Sequence, residues 1–349
     1  MGEDGAGEAQ EQVVSDPRHG SVGNPPRLSP VMRVAFVILV CVLAAVVVYG
    51  VVATTRRNLV DPRFAPSHWV SLEDGNGAEH PGGSGGAARR LPLRVAVAPV
   101  ISPERSLTLY RGLVDYLGDA LGREPAMLQR RSYAEINDLV RHGWCDVAFV
   151  CTYAFVRGER EFGMEALVVP VVGGETTYHS FIIVPSSSEA RSLLDLKGKR
   201  FASSDLLSNS GWLFPVTWLD SNGQDPKRFF SKHLITGSHD VSVEAVMTGY
   251  ADGAAVDSVV YEHMAAADES VKANTKVIMK SPRFGMPPVV VHPRIEPELK
   301  SQLLEALLRM HTDPKGQQAL SPLHIDRFVQ PDDAMYDGVR RAADALESP

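Results

Sequence analysis

Cysteine is scarce in this chain: three among 349 residues, with no CxxC and no Cys/His spacing of the zinc type. Neither a disulfide framework nor a structural metal site is indicated. Cys145 and Cys151 fall on what reads as one strand, where six residues span roughly 20 Å, far beyond the ~7 Å that a bridge tolerates. Both are expected to be free thiols packed as small apolar groups. Positive charge is also short. The 35 Lys+Arg are outnumbered by 42 Asp+Glu, leaving a net charge of −7, and a nucleic-acid partner would normally call for a basic face. The chain contains no GxxxxGK[ST], no HExxH and no GxGxxG after a strand, so the common nucleotide and metalloprotease templates are excluded. His142 and Cys145 lie close in sequence, but a cysteine entering a buried strand reads as packing rather than as a nucleophile. No catalytic residue, metal or cofactor is called for.

What is present is a globular composition, 44% hydrophobic and 22% charged, in a chain long enough for two domains. Residues 1–30 are rich in Gly, Pro and polar groups, with five acidic residues against Arg18 and Arg27, and read as a disordered tail. Val34 to Ala53 is a run of 20 residues without a charge, bracketed by Arg33 and by Arg56 with Arg57. That suits a ~30 Å hydrocarbon core, so 31–55 is expected to be a transmembrane anchor. A cleaved signal peptide would have a shorter apolar region and an earlier start. Arginines are balanced on the two sides of the run, so charge does not orient it. Residues 56–90, including the PGGSGG at Pro81 to Gly86, read as a flexible tether reaching on the order of 30 Å.

Order is expected from Leu91. LPLRVAVAP alternates as a strand, Leu107 to Leu121 has helical spacing and stops at Gly122, and Tyr133 to His142 is a second helix leading to the strand Asp146 to Val150. This is the βαβ rhythm of a mostly parallel sheet. Strands are further expected at Ala166 to Val172 and Ser180 to Val184. The rhythm then restarts at Ser192, and Met286 to His292 reads as a strand returning to the first unit. Two α/β units in one chain place a ligand cleft between them or at the ends of their strands.

The most informative stretch is Phe201 to Pro215, FASSDLLSNSGWLFP: strand, Ser/Asn/Gly turn, helix. Such a turn exposes unpaired N–H groups at the positive end of a helix dipole, so it serves equally as an ordinary cap or as an anion site. Pro215 fits a first helical turn. Other polar residues stand where strands end: Tyr133, Thr152 with Tyr153, Ser208 to Gly211, His239 with Asp240, and Asp257. Donors outnumber acceptors. A tetrahedral oxyanion wants such a ring, with a single carboxylate taking a proton or an ammonium from the ligand.

These strings, LRVAVAP, SYAEINDLVRHGWCDVAFV, TYHSFIIV, DLKGKRFASSDLLSNSGWLFP, GSHDVSVEAVMTGYADGAAVDSVVY and MKSPRFGMPPVVVHP, occur in the order of a known family. The chain resembles, over about Leu91 to Leu320, the periplasmic phosphate/phosphite/phosphonate-binding components of ABC importers. The resemblance implies a type II periplasmic-binding-protein fold, two α/β lobes joined by two crossing strands, preceded here by the N-terminal transmembrane helix. The lobe boundaries expected on that basis are 91–184 with 285–349 for the first and 185–284 for the second. It further implies that Tyr133, Ser208, Ser210, His239 and Asp257 face the ligand, with Asn209 where the family has a threonine. Cys151 and Thr152 depart from the family's usual residues after the strand. The implied partners are a small oxyanion, an ABC permease and its ATPase, with the globular part outside the cytoplasmic membrane. The alternative on the same fold is a ligand-sensing domain of a membrane signalling system.

Overall fold

The computed structural model describes residues 91–347. The tail, anchor and tether expected over 1–90 lie outside the described residues, and among the described residues no helix is long and apolar enough to cross a membrane.

The chain opens with β1 (Leu93–Val97), α1 (Pro103–Leu121), β2 (Pro125–Gln129), α2 (Tyr133–Arg141), β3 (Val147–Phe149), α3 (Thr152–Phe162) and β4 (Glu165–Val171). Local signals set these bounds. Pro103 occupies the first turn of α1, and Gly122 ends it at φ 61°, a left-handed angle that glycine adopts without a Cβ penalty. At α2 the Ser132 hydroxyl accepts from the Glu135 N–H while the Glu135 carboxylate accepts from the Ser132 N–H, satisfying two donors that the helix leaves unpaired.

The chain then crosses through β5 (Thr177–Tyr178) and builds β6 (Ser180–Pro185), β7 (Arg200–Ser203), a π-turn at Asn209–Leu213, α4 (Phe214–Ser221), α5 (Pro226–Phe229), β8 (Lys232–Ile235), α6 (His239–Met247), β9 (Gly253–Asp257), α7 (Ser258–Ala267), α8 (Ser270–Asn274) and β10 (Thr275–Lys280). It returns through β11 (Phe284–Gly285) to β12 (Val289–Val291), α9 (Pro297–Arg309), α10 (Pro314–Leu320), β13 (Arg327–Val329) and α11 (Asp337–Glu347).

One sheet runs β13-β4-β12-β3-β1-β2 and the other β10-β6-β9-β7-β8, while β5 and β11 form a two-stranded antiparallel pair of their own. Two lobes joined by two crossing strands follow directly. Each sheet is mixed rather than purely parallel: β1 is parallel to β2 and β3, but the returning β12 inserts antiparallel between β3 and β4. One expected assignment moves. The first lobe is expected to run to 184, yet β6 pairs antiparallel with β9 on one side and β10 on the other, so the second sheet already begins at Ser180. Its apolar run fits that interior position: Phe181 and Ile183 point to one face, Ile182 and Val184 to the other, as the two-residue period of a strand requires. The first sheet is covered on both faces in the same way, with Leu93 and Val95 of β1 against α1 and α9, and Ala96 against α2 and α3.

Candidate functional site

β7 and β9 end side by side, and the loops that follow them bring the polar residues together. After β7 comes Ser204, then Asp205, then the π-turn opened by Ser208. The carbonyl of Ser208 accepts from both Trp212 N (3.1 Å) and Leu213 N (2.9 Å), and its hydroxyl accepts from Gly211 N at 2.9 Å. His239 starts α6 and its backbone N–H donates across the cleft to Val100 O at 2.9 Å. The His239 ring fixes its own tautomer. Nδ1 accepts from Asp257 N at 3.1 Å and so carries no hydrogen, which puts the proton on Nε2, 3.3 Å from both the Ser204 and Ser208 hydroxyls. Burial pushes this imidazole down to about 3, the Asp240 charge opposing; it is a neutral donor over the whole physiological range.

Gly211 is required by close approach rather than by its backbone angle. A Cβ there would lie 2.6 Å from Ser204 Oγ, 3.0 Å from Ser208 Oγ and 3.2 Å from His239 Cε1. The first lobe adds Tyr133 from the start of α2. Its N–H donates to Asp205 Oδ2 at 3.2 Å, while Asp205 Oδ1 accepts from Leu207 N at 2.8 Å, so a second-lobe carboxylate caps a first-lobe helix. Burial raises the Asp205 pKa against these two bonds, and burial raises that of Tyr133 well above its ordinary value, with Cys151 and Asp205 adding and Ser204 opposing. Asp257 caps α7 through one oxygen, accepting from Val259 N (2.8 Å) and Val260 N (3.2 Å). Burial pushes its carboxyl up to about 7 against those bonds. The cluster therefore consists of hydroxyls, one neutral imidazole and two carboxylates, and holds no lysine or arginine.

Among the described residues four buried side-chain polar atoms lack a hydrogen-bond partner, and two of them are the Ser210 and Tyr133 hydroxyls. Native interiors leave few such groups; Ser210 belongs to the second lobe and Tyr133 to the first.

Not every expected residue joins this cluster. The side chain of Asn209 donates to Tyr178 Oη at 3.0 Å, Tyr178 Oη donates to Thr152 Oγ1 at 3.4 Å, and Thr152 Oγ1 donates to Gly285 O at 3.1 Å. That chain of bonds ties the π-turn and α3 to both crossing strands, so Thr152 and Asn209 are spent at the hinge. Tyr153 is packed into the apolar core of the first lobe. Cys145 and Cys151 are free and buried, and burial pushes the Cys151 thiol up to about 11. Ser204, Asp205 and Tyr178 were not singled out in the sequence. The first two sit inside the FASSDLLSNSG string itself, and their signal was a strand ending in consecutive polar residues. Tyr178 had no local signal, since its role depends on where the chain crosses.

A cavity of about 400 Å³ opens between the lobes beside this cluster and meets it at Asp257; the turn at Ser208 to Gly211 is not on its wall. The match of residues 95–336 to the family of phosphonate ABC-transporter periplasmic substrate-binding proteins covers both lobes, both crossing strands and every residue of the cluster. The chain belongs to that family. Similar solved structures are the binding protein component of an ABC phosphonate transporter from Pseudomonas aeruginosa (22% identity, 73% of this chain and 86% of that one, TM-score 0.69) and PhnD1 from Prochlorococcus marinus in complex with methylphosphonate (19%, 74% and 99%, TM-score 0.68). The alkanesulfonate-binding protein SsuA from Xanthomonas axonopodis pv. citri bound to MOPS is similar at a lower level (18%, 74% and 93%, TM-score 0.51). At these identities the likeness concerns the fold.

Proposed function

We propose that this chain captures a phosphonate, or another phosphorus oxyanion such as phosphate or phosphite, between its lobes and delivers it to an ABC permease and ATPase. The globular part works outside the cytoplasmic membrane, tethered by the apolar run within 31–55. The observation that carries the reading is the pair of unpartnered buried hydroxyls, Ser210 Oγ and Tyr133 Oη, one from each lobe, beside a cluster of hydroxyls, one neutral imidazole and two carboxylates. Hydrogen bonds to a charged ligand contribute roughly 1.5–3 kcal/mol each, and hydroxyls arriving from both lobes make closure and capture one event. The protein performs no covalent chemistry in this reading, because Cys151, the nearest thiol, is held protonated by burial.

Ligand identity is tested by a thermal-shift screen of the purified full-length chain against methylphosphonate, aminoethylphosphonate, phosphate, phosphite and sulfate. A ligand at 100 times its dissociation constant stabilises by ~2.7 kcal/mol. At least one phosphorus oxyanion is expected to raise the melting temperature at concentrations where sulfate does not. A shift with sulfate alone, or with none of the five, contradicts the reading.

A further inference from the structure

The cavity beside Asp257 has a wall unlike the polar cluster it adjoins. Val100 after β1, Phe149 and Val150 at the end of β3, Leu109 on α1, Met264 on α7 and Phe328 on β13 face it. At about 400 Å³ it exceeds by more than twice the ~150 Å³ that accommodates a benzene ring in an apolar protein interior. A methyl or aminoethyl substituent would leave most of it unfilled. Nor does the wall offer a free cation for a second anionic group. Arg105 is committed to Asp240 and Glu244, each at 3.2 Å, Asp268 accepts from Ser270 N at 2.8 Å, and His263 packs edge-on against His324 with ring centroids 4.7 Å apart. An anionic tail entering this space would lose its water without meeting a free cation.

We infer that the ligand is a phosphonate with an apolar organic group at least as large as an aromatic ring, the phosphonate held by the Ser208 to Gly211 turn with Asp257 and the organic group filling the cavity. The inference rests on the phosphonate-capture reading and narrows its substrate class. Asp257 is the junction: it belongs to the cluster through the His239 bond at its N–H and it lines the cavity, so one ligand spanning both must pass it.

The test is titration calorimetry at pH 7 on the full-length chain with methylphosphonate, aminoethylphosphonate, benzylphosphonate and hexylphosphonate, repeated on Leu109→Trp and Met264→Trp, which reduce the cavity from opposite lobes. Benzyl- and hexylphosphonate are expected to bind on the order of 10- to 100-fold more tightly than methylphosphonate, from the apolar surface they bury. Each tryptophan variant should bring both down toward the methylphosphonate value. Equal or weaker binding of the two large ligands by the parent overturns the inference while leaving phosphonate capture standing, and so does a preference that survives in both variants. If a variant fails to fold, the ranking by the parent still decides. Binding of none of the four overturns the capture reading itself.

Discussion

Removing both hydroxyls of the turn, in Ser208→Ala with Ser210→Ala, is expected to weaken oxyanion binding by a hundredfold or more while the protein remains folded. The two serines differ in what they do before any ligand arrives. Ser208 Oγ already accepts from Gly211 N at 2.9 Å and lies 3.3 Å from the protonated His239 Nε2. Its two acceptor positions are used and its own hydrogen is left to donate. Losing it removes a helix cap as well, worth about 1 kcal/mol of stability. Ser210 Oγ has no partner, so Ser210→Ala should cost no stability, and the loss of a desolvated orphan can even stabilise. Its effect on binding should nonetheless be about 10- to 150-fold, the equivalent of one charge-assisted hydrogen bond. Calorimetric affinities and denaturant unfolding of the two single variants and the double variant separate these roles. Unchanged affinity in the double variant would reduce the turn to an ordinary helix start.

Asp257→Asn is expected to change the pH dependence and the ligand ranking together. A carboxylate and an oxyanion in a dry cleft repel unless a proton lies between them. Burial holds the Asp257 carboxyl up at about 7, so below that pH it supplies the proton, and above it the ligand must. Affinity of the parent should therefore fall as pH rises from 7 to 9, approaching tenfold per pH unit once neither partner retains a proton. His239, held near 3, contributes nothing to this slope. The asparagine variant should give a flatter profile and favour fully ionised sulfate relative to phosphonate. Stability gives an independent sign. With a folded pKa near 7 and an ordinary value of 3.8, the folded state of the parent holds the extra proton across that window, so stability falls as pH rises through it. The variant should lose that decline. Calorimetry from pH 5 to 9 checks the binding, and melting temperatures over the same range check the stability. An asparagine variant with the parent's ranking and profile would mean that Asp257 serves only as the cap of α7.

The lobes were readable from sequence because their strands and helices carry local signals: alternation in LRVAVAP, helical spacing from Leu107 to Leu121, the Gly122 stop. The crossing was harder to place. Ser180 to Pro185 reads as a strand in either lobe, and only its pairing with β9 and β10 assigns it to the second. The cluster was legible where its residues fall in one short string, as in the turn at Ser208 to Gly211. It was less legible where a side chain's partner is distant in sequence. Thr152 and Asn209 carry the right chemistry for an anion, but Tyr178 stands between them and takes both. Asp205 was hidden for the same reason, since its partner is the N–H of Tyr133, 72 residues earlier. The cavity had no sequence signal, because its wall is assembled from single apolar residues of both lobes, each ordinary core in its own segment.

The central claim, that a phosphorus oxyanion lies between the lobes at the start of the π-turn, is tested most directly by a crystal structure of the full-length chain with methylphosphonate. The account predicts phosphonate oxygens within ~2.5–3.0 Å of Ser210 Oγ and Tyr133 Oη, with Asp257 facing the same group. A phosphonate held elsewhere, with those two hydroxyls still unpartnered, would contradict it.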